Sequence, residues 1–227
     1  MTIKRRGPNS PKGPGGKSSR GPSLFHEKEL HARGIRPVAG VDEAGRGPLA
    51  GPVVAVAVIL PEEFELEGLN DSKKLTHQQR EELYLRLTED TRVIYVVSEG
   101  STEEIGQLNI LRATHLAMRR TLDGLKENGH PPAHALIDGL PVKGLPVEQT
   151  ALVGGDGLSL SIAAASILAK VTRDRIMDEL DREFPQYGFA RHRGYATADH
   201  LAMLREHGPC PHHRLGFAPV DQPTFGF

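Results

Sequence analysis

Two adjacent carboxylates, Asp42 and Glu43, run through Ala44 into Gly45-Arg46-Gly47, and the stretch from Gly40 to Val53 contains four glycines and two prolines. Glycine at that density weakens a packed element, so the backbone here is shaped for something that approaches it closely. Carboxylates followed by backbone N–H groups and an arginine suit divalent metal ions held beside a phosphate. Two more acids stand beside glycines: Asp138 before Gly139, and Asp156 within Gly154-Gly155-Asp156-Gly157. With Asp42 and Glu43 they could hold one or two hard cations, because Mg2+ prefers carboxylate oxygens and is completed by water and substrate phosphate. Two ions about 3.5–4 Å apart would clamp the attacking and leaving oxygens of a phosphodiester displacement. The blander reading makes these acids caps and turn formers, since Asp138-Gly139 is a good turn and Asp156 precedes a helix N-terminus.

Such acids meet only if the elements beneath them bring them together. Residues 38–42 read as a first strand and 53–60 as a second, nearly all apolar, as expected of strands covered on both faces. Residues 92–98 form a third strand by β-branched content, 133–138 a fourth that ends in a carboxylate, and 147–153 a fifth. Ser23 is the expected N-cap of a short helix that ends at Gly34. Thr76 with Gln79, and Ser101 with Glu104, have the spacing of capping boxes. Residues 109–126 carry a helical stripe of Ile110, Leu111, Thr114, Met118, Leu122 and Leu125. A long helix over 158–184 is small or apolar all round in its first half and is stopped by Pro185; a last helix covers 197–207. The order predicts a mixed α/β fold around one central sheet. In an open α/β sheet, ligands gather at the carboxyl ends of strands, so acids at those ends converge although far apart in sequence. Neighbours on a regular strand point to opposite faces, so Asp42 and Glu43 cannot both aim side chains at one point. Either the strand twists off after Asp42, or Glu43 contributes partly through its main-chain carbonyl.

The chain of 227 residues carries a net charge of −1, but residues 1–22 hold six basic side chains and no acid. Setting these aside leaves 22 basic against 29 acidic residues, so the body carries about −7. An acidic body that binds nucleic acid must concentrate positive charge locally or use cations. The segment 1–22 is expected to be a disordered Pro/Gly-rich tail, residues 23–220 a single catalytic domain, and 221–227 a flexible tail. A single cysteine, Cys210, rules out an internal disulfide framework. With no long apolar run or secretory pattern, the expectation is a cytoplasmic protein without a membrane partner.

Several motifs in order resemble ribonuclease HII, of the type 2 ribonuclease H family: the stretch from Gly40 to Val53, Leu69 to Leu75, Leu108 to Leu111, Ile137-Asp138-Gly139, Gly155-Asp156, Ser161 to Asp174 and Phe184 to Phe189. The resemblance covers roughly residues 38–219. It implies a ribonuclease H-like fold, with a mixed five-stranded sheet flanked by helices and a helical C-terminal extension. It also implies an endonuclease that cuts the RNA strand of RNA–DNA hybrids, and cuts 5′ of a single ribonucleotide in duplex DNA, in ribonucleotide removal during replication and repair. By the family pattern, Asp42, Glu43, Asp138 and Asp156 are catalytic acids that bind Mg2+ or Mn2+, the products being a 5′-phosphate and a 3′-hydroxyl. Gly45-Arg46-Gly47 would track the backbone at the ribonucleotide, and Tyr195 would stack on the sugar at the RNA-to-DNA junction. Only the 2′-hydroxyl marks a ribonucleotide among its neighbours, so main-chain groups brought close by glycine can read it without reading the base.

Among the basic residues, Arg46 and Lys73 are the preferred phosphate contacts, with Lys74, Lys143, Lys170, Arg173, Arg191 and Arg193 as further candidates. The chain departs from the family pattern at Arg193, where lysine is usual, and at Gly216, where serine is usual. His207, Cys210, His212 and His213 match no standard zinc spacing and read as a surface loop. The segment from Asp221 to Phe227 faintly resembles sliding-clamp peptides without their aliphatic anchor. A monomer is expected. The rival readings are ribonuclease HIII, which carries an extra N-terminal domain, and a silent nucleic-acid-binding module on the same fold.

Overall fold

The computed structural model describes residues 21–221, so nearly all of both expected tails lies outside the described residues. Five strands, β1 (Val38–Ala44), β2 (Val53–Ile59), β3 (Ile94–Gly100), β4 (His134–Asp138) and β5 (Glu148–Leu152), form one sheet in the order β3-β2-β1-β4-β5. β2 runs antiparallel to β1 and β3, whereas β4 is parallel to β1 and β5. The third strand starts two residues later than its composition implies. Asp90 accepts from the backbone N–H and the guanidinium of Arg92, which holds Arg92 in the preceding turn.

The helices are α1 (Phe25–Ala32), α2 (His77–Glu89), α3 (Thr102–Leu108), α4 (Ile110–Glu127), α5 (Leu160–Glu183), α6 (Phe189–His192) and α7 (Ala198–His207), of which α4 and α5 pack directly on the sheet. Both expected capping boxes form, each with its reciprocal pair of bonds. The side-chain alternation of β2 divides the core. Val54, Val56 and Val58 pack with Leu83 and Leu87 of α2 and with Ala163, Ala164, Ile167 and Leu168 of α5. Ala55 and Ala57 join Ala39 and Val41 against Ala117, Met118, Leu122 and Leu125 of α4. The small residues of α5 let it lie directly on β1: a Cβ on Gly40 would stand 2.2 Å from the Ser161 carbonyl carbon.

Ser23 is not the cap of α1. Its N–H donates to Leu158 O at 3.1 Å and its carbonyl accepts from Leu160 N–H at 3.1 Å, a bridge that commits its backbone to the start of α5. Glu27 of α1 completes this junction from a buried position, accepting from Ser159 Oγ and Ser161 Oγ at 2.6 Å each and from Ser161 N–H at 3.0 Å. A carboxylate at the N-terminus of a long helix satisfies donors that the helix itself cannot. At the other end of α5, Met177 and Leu180 pack with Ala50, Tyr187 and Phe189, which docks the C-terminal segment beside the glycine-rich stretch. Among the described residues, no helix is long and apolar enough to cross a membrane.

Candidate metal and nucleic-acid site

The three neighbouring parallel strands each deliver one acid at the same edge of the sheet. Asp42 stands near the end of β1, Asp138 is the last residue of β4, and Asp156 sits in a 3-10 turn between β5 and α5. One carboxylate oxygen from each lies within 4.8 Å of the others. Each position is held locally. Asp42 Oδ1 accepts from Glu43 N–H at 2.7 Å, and Asp138 Oδ1 accepts from Gly155 N–H at 2.7 Å, which ties β4 to the turn that carries Asp156.

Glu43 does not join the three. β1 stays paired with β2 through Ala44, so the strand does not twist off after Asp42 and Glu43 keeps to the opposite face. Its carboxylate pairs with Arg46 Nη1 at 3.2 Å. The pair remains electrostatically part of the site, because Asp138 is one of the charges that Glu43 feels.

Burial and mutual repulsion push the acids toward protonation. Asp42 is raised well above the usual carboxylate range, first by burial and then by Glu43 and Asp138. Asp156 is raised to about 6, by burial first and then by Asp138 and Asp71. Burial raises Glu43 as well, against the pull of Arg46. Lys73 is the cation that answers this cluster. Burial alone would lower its ammonium, but Asp156 and Asp42 foremost hold it above its ordinary value. Its turn is pinned from both sides: Ser166 Oγ of α5 donates to Ser72 Oγ at 2.9 Å, and Asp71 Oδ1 accepts from Lys73 N–H at 2.9 Å. Three converging oxygen donors whose charge is incompletely balanced are the donor set a hard divalent cation requires, so these residues fit Mg2+ or Mn2+.

The Gly45-Arg46-Gly47 turn is shaped by two arginines beneath it. Arg173 and Arg214 are 1% and 0% exposed. Arg214 donates to the carbonyls of Gly45 at 2.5 Å, Arg46 at 3.0 Å, Gly51 at 2.8 Å and Pro52 at 3.1 Å. Arg173 donates to Ala50 and Pro52 at 3.0 Å each and to Arg193 O at 3.1 Å. Burial lowers both guanidinium groups, Arg173 to about 10 and Arg214 to about 9, and both stay charged at neutral pH. The carbonyls of Gly45 and Arg46 are thereby turned onto Arg214, and the N–H groups of the turn are left open. Those of Gly45, Arg46 and Gly47 find no acceptor among the described residues. Gly45 has φ +94°, and a Cβ there would stand 2.0 Å from Arg173 Nε, so both the conformation and the space require glycine. Tyr195 is 48% exposed beside the turn; its Cε1 lies 3.7 Å from where a Cβ on Gly47 would be.

Arg173 is therefore no phosphate contact, and two other basic candidates are also engaged. Lys170 pairs with Asp174 at 2.6 Å, and Arg193 pairs with Asp178 at 2.5 Å. Of the expected surface loop, His207 is exposed and Cys210 and His212 are half-buried, but His213 is buried at 2% exposure, against His200 at 0%. His200 Nδ1 faces Tyr195 O at 2.9 Å and must donate to it, which leaves its Nε2 to accept from His213 Nε2 at 3.0 Å. His213 Nδ1 then accepts from Cys210 N–H at 3.0 Å. Every ring nitrogen of this neutral chain is used, so it offers no lone pair to zinc. At Gly216 the backbone has φ +90°, a conformation that serine adopts only with strain, which accounts for the glycine. Arg214 and His200 were missed in the sequence, and His213 was read as exposed, because a charged or ionisable residue near the C-terminus carries no mark of burial.

The ribonuclease HII family profile matches residues 39–220. A ribonuclease HII of Desulfitobacterium hafniense is 53% identical over 199 residues, covering 88% of this chain and 75% of that one. The structure of a ribonuclease HII from Archaeoglobus fulgidus, solved in complex with PCNA, superposes with a TM-score of 0.66 at 27% identity, over 78% of this chain and 93% of that one. The ribonuclease H2 of Pyrococcus horikoshii superposes with a TM-score of 0.63 at 27% identity, over 81% and 94% of the two chains. The profile match, the identity over most of the length and the structural superpositions agree, and the chain belongs to the ribonuclease HII family.

Proposed function

We propose that this ribonuclease H, besides hydrolysing the RNA strand of RNA–DNA hybrids, cuts 5′ of a single ribonucleotide embedded in duplex DNA. The observation that carries the reading is the adjacency of the Gly45-Arg46-Gly47 turn, its N–H groups directed away from Arg214, to the exposed ring of Tyr195. Main-chain donors within reach of a 2′-hydroxyl recognise a ribonucleotide whatever its base. A ring stacked on the adjoining sugar then registers the junction with DNA. Asp42, Asp138 and Asp156 supply oxygen donors for one or two divalent cations, with Glu43 at their margin and Lys73 offsetting part of their charge. When bound, the cations supply positive charge at the scissile phosphate and ease deprotonation of the attacking water. Arg46 offers its guanidinium to a neighbouring phosphate. The proposed products carry a 5′-phosphate and a 3′-hydroxyl, as ribonucleotide removal in replication and repair would require.

The test is cleavage of a duplex containing one ribonucleotide, with an all-DNA duplex and a metal-free reaction as controls. Cutting on the 5′ side with either Mg2+ or Mn2+ supports the reading; binding without cutting would favour a silent module. Partnership with a sliding clamp is an accompanying proposal, supported by the PCNA complex of the archaeal relative. A pull-down with the clamp tests it, and fractionation tests the expected cytoplasmic setting.

A further inference from the structure

Beside the acids, a groove of about 650 Å³ runs between the first half of α4 and the connection from β4 to β5. Arg112, His115, Arg119 and Lys143 line it together with Leu111 and Leu140, and no carboxylate is among the lining residues. On a body with about −7 of net charge this is a local concentration of positive charge. Arg112 and Lys143 form no ion pair among the described residues; Arg119 pairs with Asp123 at 3.4 Å. The floor is apolar and open, with Leu111 49% and Leu140 75% exposed.

The groove is continuous with the catalytic edge of the sheet. Leu140 follows Asp138 by two residues, and His115, which lines the groove, lies within electrostatic reach of both Arg46 and Lys143. From Arg112 to Arg119 the helix advances about 10 Å, the axial rise of roughly three nucleotides of one strand.

We infer that this groove holds the sugar-phosphate backbone of the duplex flank that leaves the catalytic acids past Asp138, its phosphates on Arg112 and Lys143 and its sugars over Leu111 and Leu140. This rests on the reading of the site given under Proposed function. An acidic peptide would satisfy the charges equally. The regular spacing along α4 and the direct run from Asp138 favour a nucleic-acid strand that is already anchored at the acids.

The experiment is a fluorescence anisotropy titration in an Asp42→Asn background, which prevents cutting. It uses duplexes with one ribonucleotide whose flank, on one side or the other, either stops short of the groove or spans it. Arg112→Ala/Lys143→Ala should lose about tenfold in affinity for the long flank on one side only, and its slope of log affinity against log salt should fall by about 1.8, two phosphates at roughly 0.9 each. Both side chains are exposed, so the fold is not at stake. Equal affinities for wild-type and variant grooves on every duplex would overturn the inference. So would a labelled polyglutamate peptide that fills the groove of the wild-type surface without weakening binding of the long-flank duplex. Failure of the wild type, with Asp42 intact, to cleave any ribonucleotide-containing duplex would instead sink the proposed function, and that result is read separately from the titration.

Discussion

On one side of the Gly45-Arg46-Gly47 turn stand three converging carboxylates, and on the other two buried guanidinium groups, yet the two clusters treat burial in opposite ways. Arg173 and Arg214 spend their donors on carbonyls of the glycine-rich stretch, and His200 and His213 are locked as a neutral chain. Asp42, Asp138 and Asp156 are pressed together with Lys73 as their main cationic neighbour, and burial raises Asp42 and Asp156. A buried polar group with all its partners rigidifies the chain around it; one without them retains its demand for a ligand. The satisfied side holds the shape of the turn, and the unsatisfied side reserves a place for cations.

The contrast can be broken first at the acids. Asp138→Asn should cut turnover by at least about a thousandfold, roughly 4 kcal/mol of transition-state stabilisation, while the circular dichroism spectrum stays native. Near-normal turnover would remove Asp138 from the chemistry. Arg214→Ala should do the reverse and act on stability. The carbonyls of Gly45, Arg46 and Gly51 lose their donor while Pro52 O keeps Arg173, and a loss of about 4 kcal/mol, seen as a fall of about 10 °C in Tm, is expected. Arg214→Lys keeps the charge but not the fork and should recover only part of that loss. If Arg214→Ala melted like the wild type, the arginine would not be the support of the turn.

Tyr195→Ala sharpens the division between holding metal and recognising substrate. Cutting at a single ribonucleotide should fall about tenfold relative to cutting of a continuous hybrid, the scale of one aromatic contact; an unchanged ratio would exclude stacking. The smallest effect is a dependence on pH in metal-free protein. Asp156 has a folded pKa near 6, above its ordinary value, so the native state holds more protons between about 4 and 6. Stability contributed by this site is therefore present below that window and lost as pH rises through it. Asp138→Asn relieves the repulsion and should raise the metal-free Tm at pH 8 by about 3 °C, the scale of ~1 kcal/mol after solvent screening, with little change at pH 4. Added Mg2+ should reverse the sign of the difference, stabilising the wild type more than the variant.

The sheet was legible because β2 is apolar at every position and β4 ends in a carboxylate before glycine, and both capping boxes could be read from three-residue spacings. Ser23 was misread because a bridge to Ser159, distant in sequence, outcompetes a local cap. The glycines and acids of the stretch from Gly40 to Val53 announced close approach and metal, since those demands are local to the backbone and to residue type. Which acids meet was decided by strand order: β1, β4 and β5 are neighbours, so Asp42, Asp138 and Asp156 converge, whereas the pleat of β1 sends Glu43 to Arg46. The support beneath the turn could not be foreseen from composition. Arg173 and Arg214 reach residues 45–52 only through the docking of α5 and the C-terminal segment, and a side chain's charge fixes what it can bind while only long-range packing fixes what it does bind.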